Sequence, residues 1–217
     1  LGGPIVRDRT FFFASYEGLR LRQPQVATWF VPSMAVRSAA SPALRRYLEA
    51  IPPPNGRDFG NGQAEVRATF DDPGNVDAFS GRVDHGFTSS TRLFGRYSAT
   101  PSSTTTRVGS QRSRNEVDTT TVTAGLTAVI GSRMTNEVRA NWSRVVATTT
   151  DSVDGFLGAV PLDPAVVFPA GLSPADSTAG FAFFDGTIGW RIGRLARNQQ
   201  RQLHLIDTHA LFAGAHE

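Results

Sequence analysis

The sequence contains no cysteine, no lysine and no long apolar run, and each absence narrows what the chain can be. Without cysteine, neither disulfides nor thiolate metal sites can form. No apolar stretch approaches the roughly 18 residues of a membrane-spanning helix, so contact with a membrane would involve β-strands or the surface. Helical periodicity is scarce, and threonine, serine, glycine and arginine are abundant. An ordinary soluble α/β domain is therefore not expected.

The basic charge comes entirely from arginine, and the formal net charge is +3 over 217 residues. The arginines are spread along the chain and alternate with aspartate and glutamate. A protein that binds a nucleic-acid backbone usually clusters its basic residues on one face instead. We therefore expect no nucleic-acid partner.

Residues 116–147 show the clearest pattern, two arms in which apolar and polar residues alternate on either side of a polar turn at 131–135. A period of two is typical of β-strands. Each arm is longer than the usual strand of about five or six residues and fits the roughly 9 to 11 that a tilted transmembrane strand needs. The apolar face is thus predicted to contact lipid, with these candidate residues: Val122, Leu126, Ile130, Val138 and Trp142.

The same alternation predicts further strands at residues 10–21, 76–87, 92–99 and 202–215. The predicted connections alternate long and short, at residues 22–75, 88–91, 100–115, 131–135 and 148–201. Bacterial outer-membrane barrels have short periplasmic turns and long extracellular loops. We therefore predict an all-β fold, a partial antiparallel transmembrane β-barrel of about six strands with long extracellular loops. Within the first loop, Ser41 is expected to cap a short helix that has Pro42 at its first position.

The polar faces of the predicted strands carry six charged residues, which would point into the barrel interior: Arg82, Asp84, Arg92, Arg96, Glu137 and Arg139. Polar residues line the interior of outer-membrane barrels, where they are solvated and pair across strands. Contact with a substrate or with a plug is the functional alternative.

Metal and catalytic motifs are weak. The candidate ligands His204, Asp207, His209, His216 and Glu217 do not converge, because Asp207 and His209 share one strand face while His204 lies on the other. Asp84 and His85 also point to opposite faces, and no serine occupies a G-x-S-x-G turn. The sequence therefore predicts no metal, no cofactor and no enzymatic activity.

Residues 1–20, LGGPIVRDRTFFFASYEGLR, combine a GGPI segment, a charged turn and an FFF-x-x-YEG strand. This order resembles the plug-to-barrel junction of Oar-like TonB-dependent outer-membrane receptors. Later stretches resemble the same family in the same order, namely VPSMAVR at 31–37, IPPPN at 51–55, RVDHGFTSSTRLFGRYS at 82–98 and TNEVRANWSR at 135–144.

The resemblance implies a barrel of about 22 strands around a plug, in an outer membrane of the Gram-negative type. Such a receptor takes up a large solute, such as a siderophore, a glycan or a peptide, and in the full-length protein it is energised by the TonB complex. Residues 1–9 would end the plug, and residues 10–217 would form the N-terminal part of a barrel that is incomplete at the C-terminus. The alternative is a soluble β-sandwich carbohydrate-binding module, which would have two packed sheets and short loops.

Overall fold

The computed structural model describes residues 1–183 and 185–213, and its strands form one antiparallel sheet. The strand order is β1-β2-β3-β4-β5-β6-β8-β7, so six long neighbours follow one another and two short strands flank them. The strand bounds are β1 Gly2–Val6, β2 Thr10–Pro32, β3 Gln63–Gly86, β4 Thr91–Val108, β5 Gln111–Ile130, β6 Met134–Val153, β7 Thr178–Phe181 and β8 Trp190–Leu211. The prediction of an all-β antiparallel fold is thus confirmed.

Short helices occupy the two long connections of the described residues. They are α1 Met34–Ala39, α2 Pro42–Glu49 and α3 Pro164–Val167, with a 3-10 turn at Phe156–Gly158. Helix α2 is the one expected from the sequence: the Ser41 hydroxyl accepts a hydrogen bond from the Leu44 amide at 3.4 Å, and Pro42 begins the helix. No helix in this part of the chain has the length and apolar character needed to cross a membrane.

The sandwich alternative is wrong, because the described strands belong to a single sheet rather than to two packed sheets. Leu126 and Trp142 on its apolar face remain 39% and 36% exposed, whereas a second sheet would bury them. Within the described residues, 1–183 and 185–213, the sheet is also open, with β1 and β7 at its edges.

The strands are longer than the sequence pattern predicted. Strands β2 and β3 pair without a break from Thr10 opposite His85 to Pro32 opposite Gln63, so their connection is 33–62 rather than 22–75. Strands β4 and β5 continue to a two-residue turn at 109–110, which replaces the loop predicted at 100–115. The last long connection shortens to 154–189. The predicted alternation of long and short connections is therefore wrong at the third connection, which is a short turn and not a long loop.

Three prolines inside strands explain why the connections at 22–75 and 100–115 were predicted to be too long. Pro24, Pro73 and Pro101 lie within β2, β3 and β4. Proline has no N–H to donate and is usually confined to edge strands or bulges, so it suggests a strand end. Here the β3–β4 ladder begins only after Pro73, and it skips the two pairs that would involve Pro101 and Thr100. The β2–β3 ladder continues past Pro73, and the β4–β5 ladder continues past Pro101. One intact ladder is enough to carry the strand past the proline.

The long strands exceed what a bilayer requires. Strand β5 has 20 residues, and about 3.3 Å per residue gives roughly 66 Å, or about 47 Å of height at a tilt of about 45°. The apolar band of an outer-membrane barrel is only about 25 Å tall. A large part of each strand therefore extends beyond the apolar band.

The two long connections pack together at one end of the sheet, and we call this assembly, residues 33–62 and 154–189, the loop cap. Ile51 and Phe168 of the cap form its core together with buried residues at the adjoining strand ends, which are Val31, Val66 and Trp190. The connections also bond directly, since the Val160 amide donates to the Glu49 carbonyl at 2.8 Å. Trp190, the first residue of β8, adds a hydrogen bond from Nε1 to the Tyr47 carbonyl at 2.9 Å. The short turns at 87–90 and 131–133 lie at the opposite end.

Polar contacts hold the loop cap to the sheet. Arg37 donates hydrogen bonds to four backbone carbonyls, including those of Leu48 and Pro52 at 2.8 Å, and burial lowers the pKa of its guanidinium. Arg107 donates to both carboxylate oxygens of Asp154, at 2.8 and 2.5 Å, and thereby holds the pKa of that carboxyl below its usual value of 3.8. The cap is thus a folded unit rather than a set of separate loops.

Candidate functional site

The polar face of the sheet forms a groove of about 580 Å³ at the level of β3 to β6. All six charged residues that the sequence assigned to the barrel interior line this one groove, together with Phe94, Thr123, Thr127 and Asn141. Strand alternation accounts for their meeting, because residues two apart on one strand share a face with their cross-strand partners. We call this site the arginine groove.

Cross-strand register arranges the groove in rows. One row runs from Asp84 through Phe94 and Gly125 to Arg139. A neighbouring row runs from Arg82 through Arg96, Thr123 and Asn141. Arg92, Thr127 and Glu137 form a third row nearer the short turns.

Both carboxylates of the groove are engaged by arginines on their own strands. Arg82 forms a bidentate pair with Asp84, with Nε 2.8 Å from Oδ2 and Nη2 2.7 Å from Oδ1. Arg139 donates a single hydrogen bond from Nη2 to Glu137 Oε1. The Asp84 and Glu137 side chains remain 44% and 39% exposed, so each pair contributes only about 0–1 kcal/mol to stability. The pairs matter because they occupy both negative charges.

Phe94 forms an aromatic platform in the middle of the groove. Its ring lies over Gly125, where an added Cβ would lie only 2.8 Å from the Phe94 Cζ atom. The Arg82 guanidinium carbon is 4.1 Å from the ring centroid, and that of Arg139 is 5.9 Å away. Gly125 therefore creates the space that lets one ring contact two cations.

Arg92 and Arg96 have no acidic partner in the part of the chain that the structure describes. Arg96 Nε donates to Ser80 Oγ at 3.2 Å, and Arg96 lies directly opposite Arg82 on β3. Like charges at opposed positions repel, which an anion between them would relieve. With four arginines and two carboxylates, the groove carries a net charge of +2. Its chemistry suits a carboxylate or phosphate group, which guanidinium groups bind in bidentate fashion.

The sequence places Gly125 and Asn141 on polar strand faces without giving them a role, and Phe94 was not predicted to lie on the polar face. Phe94 lies between Arg92 and Arg96 at a spacing of two, so strand periodicity was a sufficient signal for it. Periodicity also places Gly125 on the polar face of β5, but its role could not be predicted, because that role depends on lying opposite Phe94 across the β4–β5 ladder.

The five residues predicted to face lipid share the opposite face of the sheet, which we call the apolar face. Val122 lies opposite Trp142, Leu126 lies opposite Val138, and Ile130 ends β5. Strand β8 joins this face through Leu203 and Leu205, which are 75% and 74% exposed. Its alternate residues, including Ile206 opposite Arg139, continue the groove face instead.

The candidate metal ligands of β8 remain divided between faces. His209 Nε2 lies 2.9 Å from Asp207 Oδ2, and Asn136 Nδ2 donates to Asp207 Oδ1 at 2.6 Å. His204 lies on the groove face opposite Asn141. Across residues 1–183 and 185–213, no three such side chains are placed to hold a metal ion. His216 and Glu217 fall outside the described residues.

Comparison with protein families gives one finding. A family model described as "Outer membrane beta barrel domain" matches residues 1–41 and 37–217, which together span the chain. Searches of curated proteins and of solved structures found no match.

Proposed function

Because the chain belongs to the outer membrane β-barrel domain family and is an outer-membrane protein, we propose that it is part of a TonB-dependent receptor. In this proposal the protein transports a large solute actively and is not an enzyme. The TonB energy-coupling complex, outer-membrane lipid and the solute are its partners. The observation that carries the proposal is the arginine groove on the face opposite an exposed apolar face, in one sheet of antiparallel strands.

The apolar face of the sheet suits contact with lipid, and the opposite face suits contact with water. In the proposed arrangement the apolar face contacts lipid, while the arginine groove lines the interior, as in barrels whose residues alternate between lipid and lumen. Val122, Leu126 and Ile130 are 42%, 39% and 50% exposed, so they are available to lipid. A soluble protein rarely exposes such a continuous apolar surface.

The flanks of the sheet support a larger barrel. Among the described residues, positions 15–29 of β2 pair only with β3, and positions 195–211 of β8 pair only with β6. Unpaired backbone groups cannot lie in the hydrocarbon of a membrane, where each would cost several kcal/mol. We propose that further strands complete the cylinder, up to the roughly 22 implied by the family resemblance.

The proposed orientation places the short turns in the periplasm and the loop cap outside. Val66 and Arg82 lie on the same face of β3, so the core of the cap lies above the groove side of the sheet. The cap has its own cavity of about 440 Å³, lined in part by Met34, Arg37, Arg45 and Glu49. A solute would therefore meet the cap before it reaches the groove. Strand β1 folds back on β2 through Gly3 opposite Phe12, and in this proposal it joins the barrel to a plug.

Uptake measurements test the proposal. Cells that produce or lack the protein would be given labelled siderophores, glycans and peptides, with the TonB complex either intact or inactivated. We expect at least one solute to enter only when both the protein and the complex are present. Uptake that depends on the protein but is unchanged by loss of the complex would indicate passive diffusion and contradict the proposal.

A further inference from the structure

Arg144 and Arg201 form a basic pair on the apolar face, at the boundary where that face becomes polar. Arg144 on β6 lies directly opposite Arg201 on β8. The next pair toward the short turns is Trp142 with Leu203. Toward the loop cap the partners become Val146 with Gln199, and then Thr148 with Arg197. The pair therefore lies immediately above the apolar residues on the same surface.

Among the described residues, no carboxylate forms an ion pair with Arg144 or Arg201, nor with Arg197. Arg144 donates from Nη2 to Gln199 Oε1 at 3.2 Å, but its Nε is buried without a hydrogen-bond partner in the part of the chain that the structure describes. Opposed like charges on neighbouring strands are destabilising, and so is a buried donor without a hydrogen-bond partner. An anion held between the two side chains would remove the repulsion between them.

Two other arginines on the same face have acidic partners. Arg20 Nη2 lies 2.6 Å from Asp77 Oδ1, and Arg114 lies 2.9 Å from Glu116. Asp77 also accepts a hydrogen bond from the Tyr16 hydroxyl at 2.7 Å. The Arg144–Arg201 pair thus differs from these two sites in having no acidic partner among the described residues.

We propose that Arg144 and Arg201 bind the phosphate groups of lipids in the outer leaflet of the membrane. The assignment follows from the outer-membrane location and from the orientation given above, in which the loop-cap end faces outward. A lipid whose chains contact Trp142 and Leu203 brings its headgroup to the next row along the strands, where both guanidinium groups are found. Guanidinium groups form bidentate hydrogen bonds with phosphate, and basic pockets on membrane proteins recognise anionic headgroups.

Lipid binding to the purified protein in neutral detergent tests the proposal. The probes are bisphosphorylated lipid A, the same lipid after removal of its phosphates, and inorganic phosphate, and native mass spectrometry counts the bound lipid. We expect the Arg144→Gln/Arg201→Gln variant to bind lipid A at least about tenfold more weakly than the unmodified protein, because charge-assisted hydrogen bonds are lost. The unmodified protein should bind dephosphorylated lipid A just as weakly.

Arg20→Gln is the matched control, since it removes one arginine from the same face at a site that already has a carboxylate partner. Its affinity for lipid A should stay within about twofold of the unmodified protein, as expected for a screened surface pair. Without lipid A, the double variant should unfold no earlier than the unmodified protein, because two opposed like charges have been removed. That measurement separates loss of binding from failure to fold.

Equal lipid A binding by the double variant and the unmodified protein would overturn the assignment. Displacement of lipid A by inorganic phosphate at equal concentrations would also overturn it, because the site would then be one for free anions. These measurements involve neither solute nor energy source, so failure of the lipid site would leave the proposed transport function untouched.

Discussion

Replacing Gly125 with alanine should weaken the sheet through the aromatic platform of the arginine groove. Gly125 is buried beneath the Phe94 ring, and a Cβ atom there would overlap the ring edge, with Cζ only 2.8 Å away. Phe94 would have to rotate away from Arg82, whose guanidinium carbon is 4.1 Å from the ring centroid. The substitution therefore tests whether the packing beneath the groove is tight.

The expected loss in the free energy of unfolding is about 1–3 kcal/mol. Overpacking usually costs about 1–3 kcal/mol, and loss of an exposed cation–π contact adds about 0.5–1 kcal/mol. Replacing glycine also reduces the entropy of the unfolded chain, which returns about 0.4–1 kcal/mol. Gly95→Ala provides the control, because a Cβ there meets nothing within 4 Å. That variant should be neutral or slightly stabilised.

Urea unfolding of the protein refolded in lipid vesicles, followed by tryptophan fluorescence, gives both values. A double-mutant cycle with Phe94→Ala isolates the contact, since Gly125→Ala should become harmless once the ring is gone. Equal stability of the Gly125→Ala and Gly95→Ala variants would refute the reasoning. So would a cost of Gly125→Ala that persists without the Phe94 ring.

Three further predictions concern the membrane face and the loop cap. Leu126→Arg should cost about 2–4 kcal/mol in vesicle unfolding because it places a charge against lipid, whereas Thr121→Arg on the groove face should cost little, and equal costs would contradict the assigned faces. Ile51→Ala should destabilise the cap by about 2–5 kcal/mol and speed proteolysis within residues 33–62, while Val26→Ala at an 85% exposed position should leave the cleavage rate unchanged. Because the Asp154 pKa is lowered, its ion pair with Arg107 contributes fully above pH 3.8 and is lost as the pH falls below that value through the lowered pKa. Near-ultraviolet circular dichroism of the buried Trp190 should therefore weaken below pH 3.8, and Asp154→Asn should show the weaker signal already at neutral pH; an identical acid titration of the two proteins would contradict this.

Sequence periodicity predicted the faces of the strands because alternation is local. Each charged residue of the groove could be assigned to a polar face from its own strand, without knowledge of its partners. The helix that begins at Pro42 could also be predicted from a local signal, since Ser41 caps its first turn.

Strand ends and cross-strand partners could not be predicted in the same way. Pro24, Pro73 and Pro101 suggest local breaks, but the neighbouring ladders hold the strands together across them. The contact between Phe94 and Gly125 depends on register, which is set by the whole hairpin and not by either residue. The loop cap could not be predicted from local pattern either, because its core joins Val31 and Ile51 to Phe168 and Trp190, which are more than a hundred positions away in the sequence.

The hydrogen bond from the Ile188 amide to the Phe30 carbonyl, at 2.8 Å, fastens the end of β2 to the segment that leads into β8. Along the sheet these strands are five spacings apart, or about 24 Å. This hydrogen bond therefore joins the two ends of the series of long strands at the loop cap, and it helps to hold the two connections of the cap together. We expect any passage for a solute to open at the edge of the loop cap rather than between its two connections.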